Sequence, residues 1–138
     1  MSEKIDIKTV STSALAYLGD STIEVCVRRF LVEEGLSSSR HLNSAALGFV
    51  RAPEQAEAML NIAEHLTEEE AQVYRRGRNL GHSNTPKNCT VAQYRAATGM
   101  ETLFGYLYLL GETERIDELF RIAFAHRIKE VSEVQNKL

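Results

Sequence analysis

Apolar residues recur at helical spacing along most of this 138-residue chain, and that pattern sets its fold class. In residues 15–31, for example, apolar side chains fall three, four, seven or eight positions apart, which places them on one face of a helix. We find no alternation of apolar and polar residues punctuated by hairpin turns, the pattern typical of strands. The sequence therefore predicts an all-α fold.

Capping residues and glycines divide this pattern into six predicted helices. Thr67 followed three residues later by Glu70, for example, forms a capping box at the start of the fourth helix. No repeat, linker or break in composition separates the helices, so residues 1–138 are predicted to form a single domain. The predicted helices run from near Ser11, Thr12 or Ser13 to about Glu34, from after Ser37-Ser38-Ser39 through Val50, from Pro53 to about His65, from Thr67 to near Gly77, from Thr90 to about Leu110 and from Thr113 through Ile128.

Charged residues are distributed unevenly along the chain. The net charge at pH 7 is −3, yet residues 71–100, here called the basic segment, contain five basic side chains and no aspartate or glutamate. The rest of the chain therefore carries a net charge of −8. Because a solvated protein face usually mixes both signs, a one-signed segment of this length indicates an anion-binding surface on an otherwise acidic protein.

Targeting and metal-binding patterns of the common kinds do not occur. No apolar run approaches the roughly 20 residues needed to span a bilayer, and residues 1–8 lack the apolar core of a signal peptide. The two cysteines, Cys26 and Cys89, have no ligand spacing that would indicate zinc. These features predict a cytoplasmic protein that does not enter a membrane.

Two acidic residues lie in apolar surroundings, where a carboxylate needs a partner. Asp20 falls in the middle of the first predicted helix, and Glu101 lies inside the most apolar helix of the chain. A desolvated carboxylate must be paired or bound to a cation. If the two long helices pack side by side, Asp20 and Glu101 could share Mg²⁺, which prefers oxygen ligands and needs only one or two carboxylates besides water and substrate phosphates.

The residues alone leave other roles open for these acids. Structural ion pairs, for example with Arg95 or Arg28, would also explain why two acids occur within apolar helices. Glu24 lies four residues before Arg28, which predicts a surface ion pair, although Glu24 could also support Asp20 from the same helix face. No nucleophile elbow, phosphate-binding loop or metalloprotease motif suggests a different chemistry.

The basic segment also supplies hydrogen-bond donors suited to RNA. Arginine binds phosphate oxygens in a fork, while asparagine and serine donate to phosphates or ribose hydroxyls. No aromatic residue occurs between Tyr74 and Tyr94, which disfavours stacking of single strands and favours a duplex, bound through its shape, backbone and 2′-hydroxyls. The predicted RNA-binding residues are Arg75, Arg76, Arg78, Asn79, His82, Ser83, Asn84, Lys87, Asn88 and Arg95.

Four segments, taken in order along the chain, carry a family resemblance. They are Ala-Leu-Ala-Tyr-Leu-Gly-Asp at 14–20, Arg-Gly-Arg-Asn at 76–79, Pro-Lys-Asn at 86–88 and the apolar run at 94–109. Together they resemble the Mini-III ribonucleases, compact members of the ribonuclease III family that lack a double-stranded-RNA-binding domain. Larger members of the family carry further acids where this chain has Ser13, Ala16 and Thr98, a reduction that Mini-III enzymes share.

The resemblance implies a homodimeric, all-helical endonuclease domain that cuts double-stranded RNA with Mg²⁺, for which Mn²⁺ can substitute. Asp20 and Glu101 would be its metal ligands and catalytic residues, and the RNA-binding residues of the basic segment would grip the duplex. The implied biological substrate is precursor 23S ribosomal RNA, trimmed at both ends during ribosome maturation, where a ribosomal protein could assist.

Two hypotheses compete with this one. A non-catalytic helical module that binds structured RNA during ribosome assembly would share every feature except the paired carboxylates. An all-helical nucleotide pyrophosphohydrolase would need two nearby acidic pairs, and the pair formed by Glu54 and Glu57 lacks a properly placed partner.

Overall fold

The computed structural model describes residues 6–81 and 84–137, and this part of the chain is helical with no strand. The all-α prediction is therefore confirmed. None of the helices in these ranges is long and apolar enough to cross a membrane. The helices are α1 (Thr12–Glu33), α2 (Ser39–Val50), α3 (Ala52–Ile62), α4 (Glu68–Arg78), α5 (Val91–Leu109), α6 (Thr113–Ala123) and α7 (Ala125–Asn136), with short 3-10 turns at Ile7–Thr9 and Ala63–His65.

Side-chain caps begin the helices where the sequence predicts them. The Ser11 hydroxyl accepts a hydrogen bond from the first turn of α1, and complete capping boxes begin α4 at Thr67 and α5 at Thr90. Gly35 and Gly111 follow α1 and α5 with φ of 96° and 76°, a left-handed conformation that favours glycine. Five of the six predicted helices are therefore confirmed to within a few residues.

The sixth predicted helix is two helices in the structure. The sequence predicts one helix from Thr113 through Ile128, and this prediction is wrong, because α6 ends at Ala123 and α7 begins at Ala125. Phe124 lies between them with φ −112° and ψ 25°, outside the helical range.

The burial of Phe124 explains the break. Its ring packs against Phe49 and Phe120, with ring centroids 5.3 and 5.4 Å apart, and the residue is only 3% exposed. The carbonyl of Ala123, at the end of α6, accepts a hydrogen bond from the Asn61 side chain of α3 at 2.9 Å. Aromatic burial and this bond offset the lost helical hydrogen bonds. Apolar spacing could not show the break, because Phe124 continues the periodic pattern.

Helix α5 is the centre of the fold. It packs against α1, α3, α4 and α6, and about half of its side chains are buried. Met100, Leu103 and Phe104 have no exposed surface. An apolar helix in this position buries nearly its whole circumference, which explains why Glu101, within it, is only partly exposed.

A largely buried ion pair joins α4 to α6. Arg115 donates from Nε and Nη2 to the two carboxylate oxygens of Glu70, at 2.9 and 2.8 Å, and also to the carbonyl of His65 at 2.7 Å. The Glu70 side chain is only 7% exposed, and it also completes the capping box with Thr67. The hydrogen bonds from Arg115 lower the pKa of Glu70 in spite of its burial.

Arg115→Met should lower the free energy of unfolding by about 3 kcal/mol at pH 7, because it leaves the Glu70 carboxylate buried without its partner. Since the pKa of Glu70 is lowered in the folded state, the pair stabilises the protein above the ordinary pKa of glutamate. This contribution is lost as the pH falls and Glu70 takes up a proton.

Urea unfolding at pH 7 and at about pH 3 measures this effect, and the difference between the variant and the wild type should shrink at the lower pH. The control is Arg28→Met, which removes an ion pair with Glu24 whose arginine is 75% exposed. It should cost less than about 0.5 kcal/mol. Equal losses in the two variants would contradict the prediction.

Candidate active site

Helices α1 and α5 cross with their backbones in contact at Gly19 and Gly105. A Cβ atom on Gly19 would overlap the backbone carbonyl of Glu101. One on Gly105 would overlap the carbonyl of Leu15 and lie 2.9 Å from the amide nitrogen of Gly19. Only residues without a Cβ allow this approach. The crossing fixes the register of α1 on α5, and it places Asp20, the residue after Gly19, beside Glu101.

The structure brings the two predicted carboxylates together at this crossing. The side chains of Asp20 and Glu101 lie close enough that a proton on one of them can form a hydrogen bond to the other. Asp20 is exposed, while Glu101 is partly buried. Burial first, and then the charge of Asp20 and the hydrogen bond to it, raise the pKa of Glu101 to about 8. In the absence of a cation, the pair therefore tends to hold a proton at neutral pH.

No arginine neutralises either carboxylate. Arg28 instead binds Glu24, with 3.1 Å between Nε and Oε2, as the four-residue spacing predicts. Across residues 6–81 and 84–137, neither Asp20 nor Glu101 forms an ion pair with an arginine, Arg95 included. Among the described residues, the ion pairs considered for these acids, with Arg95 or Arg28, do not form.

The donor set of this carboxylate pair suits a hard divalent cation. The pair offers carboxylate oxygens, the ligands that such a cation prefers. A desolvated carboxylate without an arginine partner is favourable only when a proton or a cation neutralises its charge. Within the described ranges, no group of three or more histidine, cysteine, aspartate or glutamate side chains is arranged to hold a metal ion. The protein therefore offers two carboxylates, which is the number that Mg²⁺ needs when water and substrate phosphates complete its shell.

Thr98, one turn before Glu101, does not extend this donor set. It is 5% exposed, and its hydroxyl donates to the backbone carbonyl of Tyr94 at 3.0 Å. The hydroxyl of Thr102 in turn donates to the carbonyl of Thr98 at 2.8 Å. Both hydroxyl protons are thus used inside α5.

Three arginines of the basic segment, Arg75, Arg76 and Arg78, lie exposed at the end of α4, where the helix dipole favours positive charge. The Nη2 atom of Arg75 lies 3.6 Å from a carboxylate oxygen of Glu68. The Arg78 guanidinium lies 5.8 Å from the ring centroid of Tyr74, and its Nε donates to the Asn79 side chain at 3.3 Å. Arg75 and Arg78 thus keep most of their N–H groups available for an anion.

The other predicted RNA-binding residues occupy different positions. Arg76 is directed at the start of α1, where its Nη2 donates to the carbonyl of Val10 and to the Thr12 hydroxyl. Asn79, Asn84, Lys87 and Asn88, between α4 and α5, and Arg95 on α5 are exposed as well. The predicted positions His82 and Ser83 lie outside the described residues.

A second pair of glycines brings α4 close to α5. A Cβ on Gly99 would lie 2.6 Å from ring carbons of Tyr74, and one on Gly77 would lie 2.8 Å from the Cα of Gly99. Gly99 and Gly105, both within the apolar helix α5, thus permit close helix packing. Sequence reasoning missed Gly19, although a glycine within the long apolar-faced helix α1 was a signal of the same kind.

Comparison with known proteins gives consistent matches in sequence and structure. Residues 13–112 match the family model described as Ribonuclease III domain. The Mini-ribonuclease 3 of Brevibacillus brevis is 45% identical over 111 residues, which cover 80% of this chain and 83% of that protein. The Mini-ribonuclease 3 of Enterococcus faecalis is 40% identical over 134 residues, or 96% and 98% of the two chains. A crystal structure of a protein from Fusobacterium nucleatum superposes with a TM-score of 0.79 at 31% identity, covering 91% of this chain and 96% of that one.

Gly105→Ala should force α1 away from α5, because the added methyl group would overlap the carbonyl of Leu15. We expect the free energy of unfolding to fall by about 2 kcal/mol, which is typical of overpacking. As the carboxyls separate and water enters, the pKa of Glu101 should also fall from about 8 towards its ordinary value. Urea unfolding measures the first effect, and an NMR titration of the Glu101 carboxyl carbon measures the second.

The matched control is Gly81→Ala, where an added Cβ would have no atom within 4 Å. It should leave both the stability and the Glu101 pKa unchanged. A Gly105→Ala protein as stable as this control would show that the crossing tolerates a methyl group, contrary to the structure.

Proposed function

Since the chain belongs to the ribonuclease III family, in its Mini-ribonuclease 3 group, we propose that this endoribonuclease cuts double-stranded RNA at a Mg²⁺ site formed by Asp20 and Glu101. The observation that carries the proposal is the contact between these two carboxylates at the crossing of α1 and α5, with no arginine to neutralise them. Mn²⁺ can substitute for Mg²⁺, because carboxylate and water ligands suit both ions.

The two carboxylates have different surroundings, and this gives them different tasks. Asp20 is exposed, so its oxygens lie where an RNA phosphate can approach from solvent. Glu101 is partly buried, and the packing of α5 holds its side chain in place behind Asp20. When bound there, Mg²⁺ supplies activation of a water for in-line attack on the phosphodiester and neutralises charge at the departing 3′ oxygen.

The basic segment provides the grip on RNA. Arg75 and Arg78 form the end of α4, and Arg95 lies on the early part of α5, so positive charge flanks the loop that joins these helices. Within the loop, we assign the same role to Asn79, His82, Ser83, Asn84, Lys87 and Asn88. A surface of this composition binds phosphate and ribose groups without reading bases, which suits a duplex.

A homodimer would allow both strands of a duplex to be cut. An apolar face on α1 supports this part of the proposal: Tyr17 is 84% and Val25 63% exposed. A groove of about 300 Å³ beside them is lined by residues of α1 and α6, among them Leu18, Cys26 and Ile116. Burial of such a face against a second copy is favourable. Sedimentation that finds only a monomer at micromolar concentrations would contradict the dimer.

We assign the paired ends of precursor 23S ribosomal RNA as the biological substrate, in the cytoplasm, with a ribosomal protein as a helper. The similarity to Mini-ribonuclease 3 proteins along most of the chain supports this assignment. Purified protein should shorten a precursor transcript at both ends of its terminal duplex. It should leave intact a transcript in which the strands cannot pair, and equal cutting of both transcripts would rule out this substrate class.

Asp20→Asn and Glu101→Gln should each reduce cleavage of duplex RNA with Mg²⁺ by more than about a hundredfold. Residues that merely support metal ligands already cost about 10–100-fold when they are replaced. Gel assays of a labelled duplex measure the rate, and circular dichroism checks that each variant is folded. Glu133→Gln, on α7, is the control and should cut at the wild-type rate. If the wild type binds the duplex and leaves it intact, the protein is a non-catalytic RNA-binding module.

Arg75→Ala combined with Lys87→Ala should weaken RNA binding and flatten its dependence on salt, because fewer counterions are released on binding. The slope of log affinity against log salt should fall by roughly 0.7–0.9 for each lost phosphate contact. Fluorescence anisotropy over a salt series, in the Asp20→Asn background, measures this slope. Arg40→Ala combined with Lys129→Ala removes the same charge outside the basic segment, and an equal change there would exclude a specific grip.

A further inference from the structure

Arg76 belongs to the basic segment, yet its guanidinium contacts the start of α1. Its Nη2 donates to the carbonyl of Val10 at 3.3 Å and to the hydroxyl of Thr12 at 3.0 Å. These two residues flank Ser11, whose hydroxyl caps α1 by accepting a hydrogen bond from the amide of Ala14 at 3.0 Å. The contact therefore joins the last turns of α4 to the N-terminal cap of α1.

The residues on both sides of this contact connect it to the helices that carry Asp20 and Glu101. Gly77, the residue after Arg76, packs directly against Gly99 of α5, the helix that carries Glu101. On the other side, Thr12 begins α1, and Asp20 follows about 12 Å along the same helix. Helix α4 thus holds α5 through Gly77 and holds the start of α1 through Arg76.

The first turn of α1 has little other packing to hold it. Its first buried residue is Leu15, while Ser13 and Ala14 are exposed. A helix end with few buried side chains opens readily unless hydrogen bonds tie it down. The crossing with α5 fixes α1 at Leu15 and Gly19, and the bonds from Arg76 fix its beginning, so together they set the direction in which Asp20 projects.

We propose that Arg76 is a positioning residue for RNA cleavage, which holds the start of α1 against α4 so that Asp20 stays beside Glu101. This role differs from the phosphate contact that the sequence predicts for Arg76. The proposal rests on the proposed endonuclease activity. Arginine suits this role better than lysine, because the planar guanidinium holds the two N–H donors of Nη2 in fixed directions, whereas the lysine ammonium is a point charge on a flexible stem.

Arg76→Lys tests the proposal because it keeps the positive charge and removes the planar guanidinium whose Nη2 makes both bonds. We expect kcat for a duplex substrate to fall roughly tenfold, since small displacements of reacting groups are costly. KM and the salt dependence of RNA binding should stay at wild-type values. Arg40→Lys, an exposed position on α2, is the matched control and should change neither quantity.

Thr12→Val provides a second, independent variant, because it removes the hydroxyl acceptor and keeps the shape of the side chain. It should lower kcat by a smaller factor than Arg76→Lys. The double variant should be no slower than Arg76→Lys alone, since the two changes remove one shared interaction. Thermal unfolding establishes that each protein is folded at the assay temperature.

The outcomes separate this proposal from the proposed function. A wild-type protein that leaves duplex RNA intact overturns both. If the wild type cuts and Arg76→Lys cuts equally fast, the positioning role alone is wrong. A loss of affinity with a flatter salt slope in Arg76→Ala, restored by Arg76→Lys, would instead make Arg76 a phosphate contact. If the fold-reductions in kcat of the two single variants multiply in the double variant, the proposal is also overturned.

Discussion

The backbone contact between α1 and α5 at Gly19 and Gly105 is the constraint on which the rest of this structure depends. A glycine inside a helix costs up to about 1 kcal/mol relative to alanine, and here two of them permit an approach that no other residue allows. Because of that approach, two carboxylates 81 positions apart come within hydrogen-bond reach of each other. The apolar surroundings of α5 then make their negative charge costly, which favours a proton or a divalent cation between them.

Helix α4 connects the core, the carboxylate pair and the basic surface, because its polar side chains project in different directions. Glu70, in its first turn, reaches inward to Arg115 of α6. Arg76 reaches across to α1, while Arg75 and Arg78, exposed like Arg76, make no hydrogen bond with the described residues of that helix. Acidic residues in the first turn and arginines in the last turn also match the helix dipole, so the charge separation that we propose for RNA binding agrees with the stability of the helix.

Helix boundaries could be predicted where a local interaction sets them. The caps at Ser11, Thr67 and Thr90 bond to residues three positions away, so the sequence displays both partners together. The break at Phe124 could not be predicted, because its cause is a ring on α2 and an amide on α3. For the same reason the ion pair between Glu70 and Arg115, which are 45 positions apart, had no local pattern to reveal it.

The sequence by itself determined the helical class, the separation of charge and the identity of two acids that need a partner, since composition, periodicity and capping act within a few residues. The family resemblance then implied that those acids are metal ligands and catalytic residues. Only the tertiary structure decided that Asp20 and Glu101 partner each other and that Arg76 faces α1. Those contacts depend on how closely helix backbones approach, and that distance is set by the side chains of every helix packed around α5.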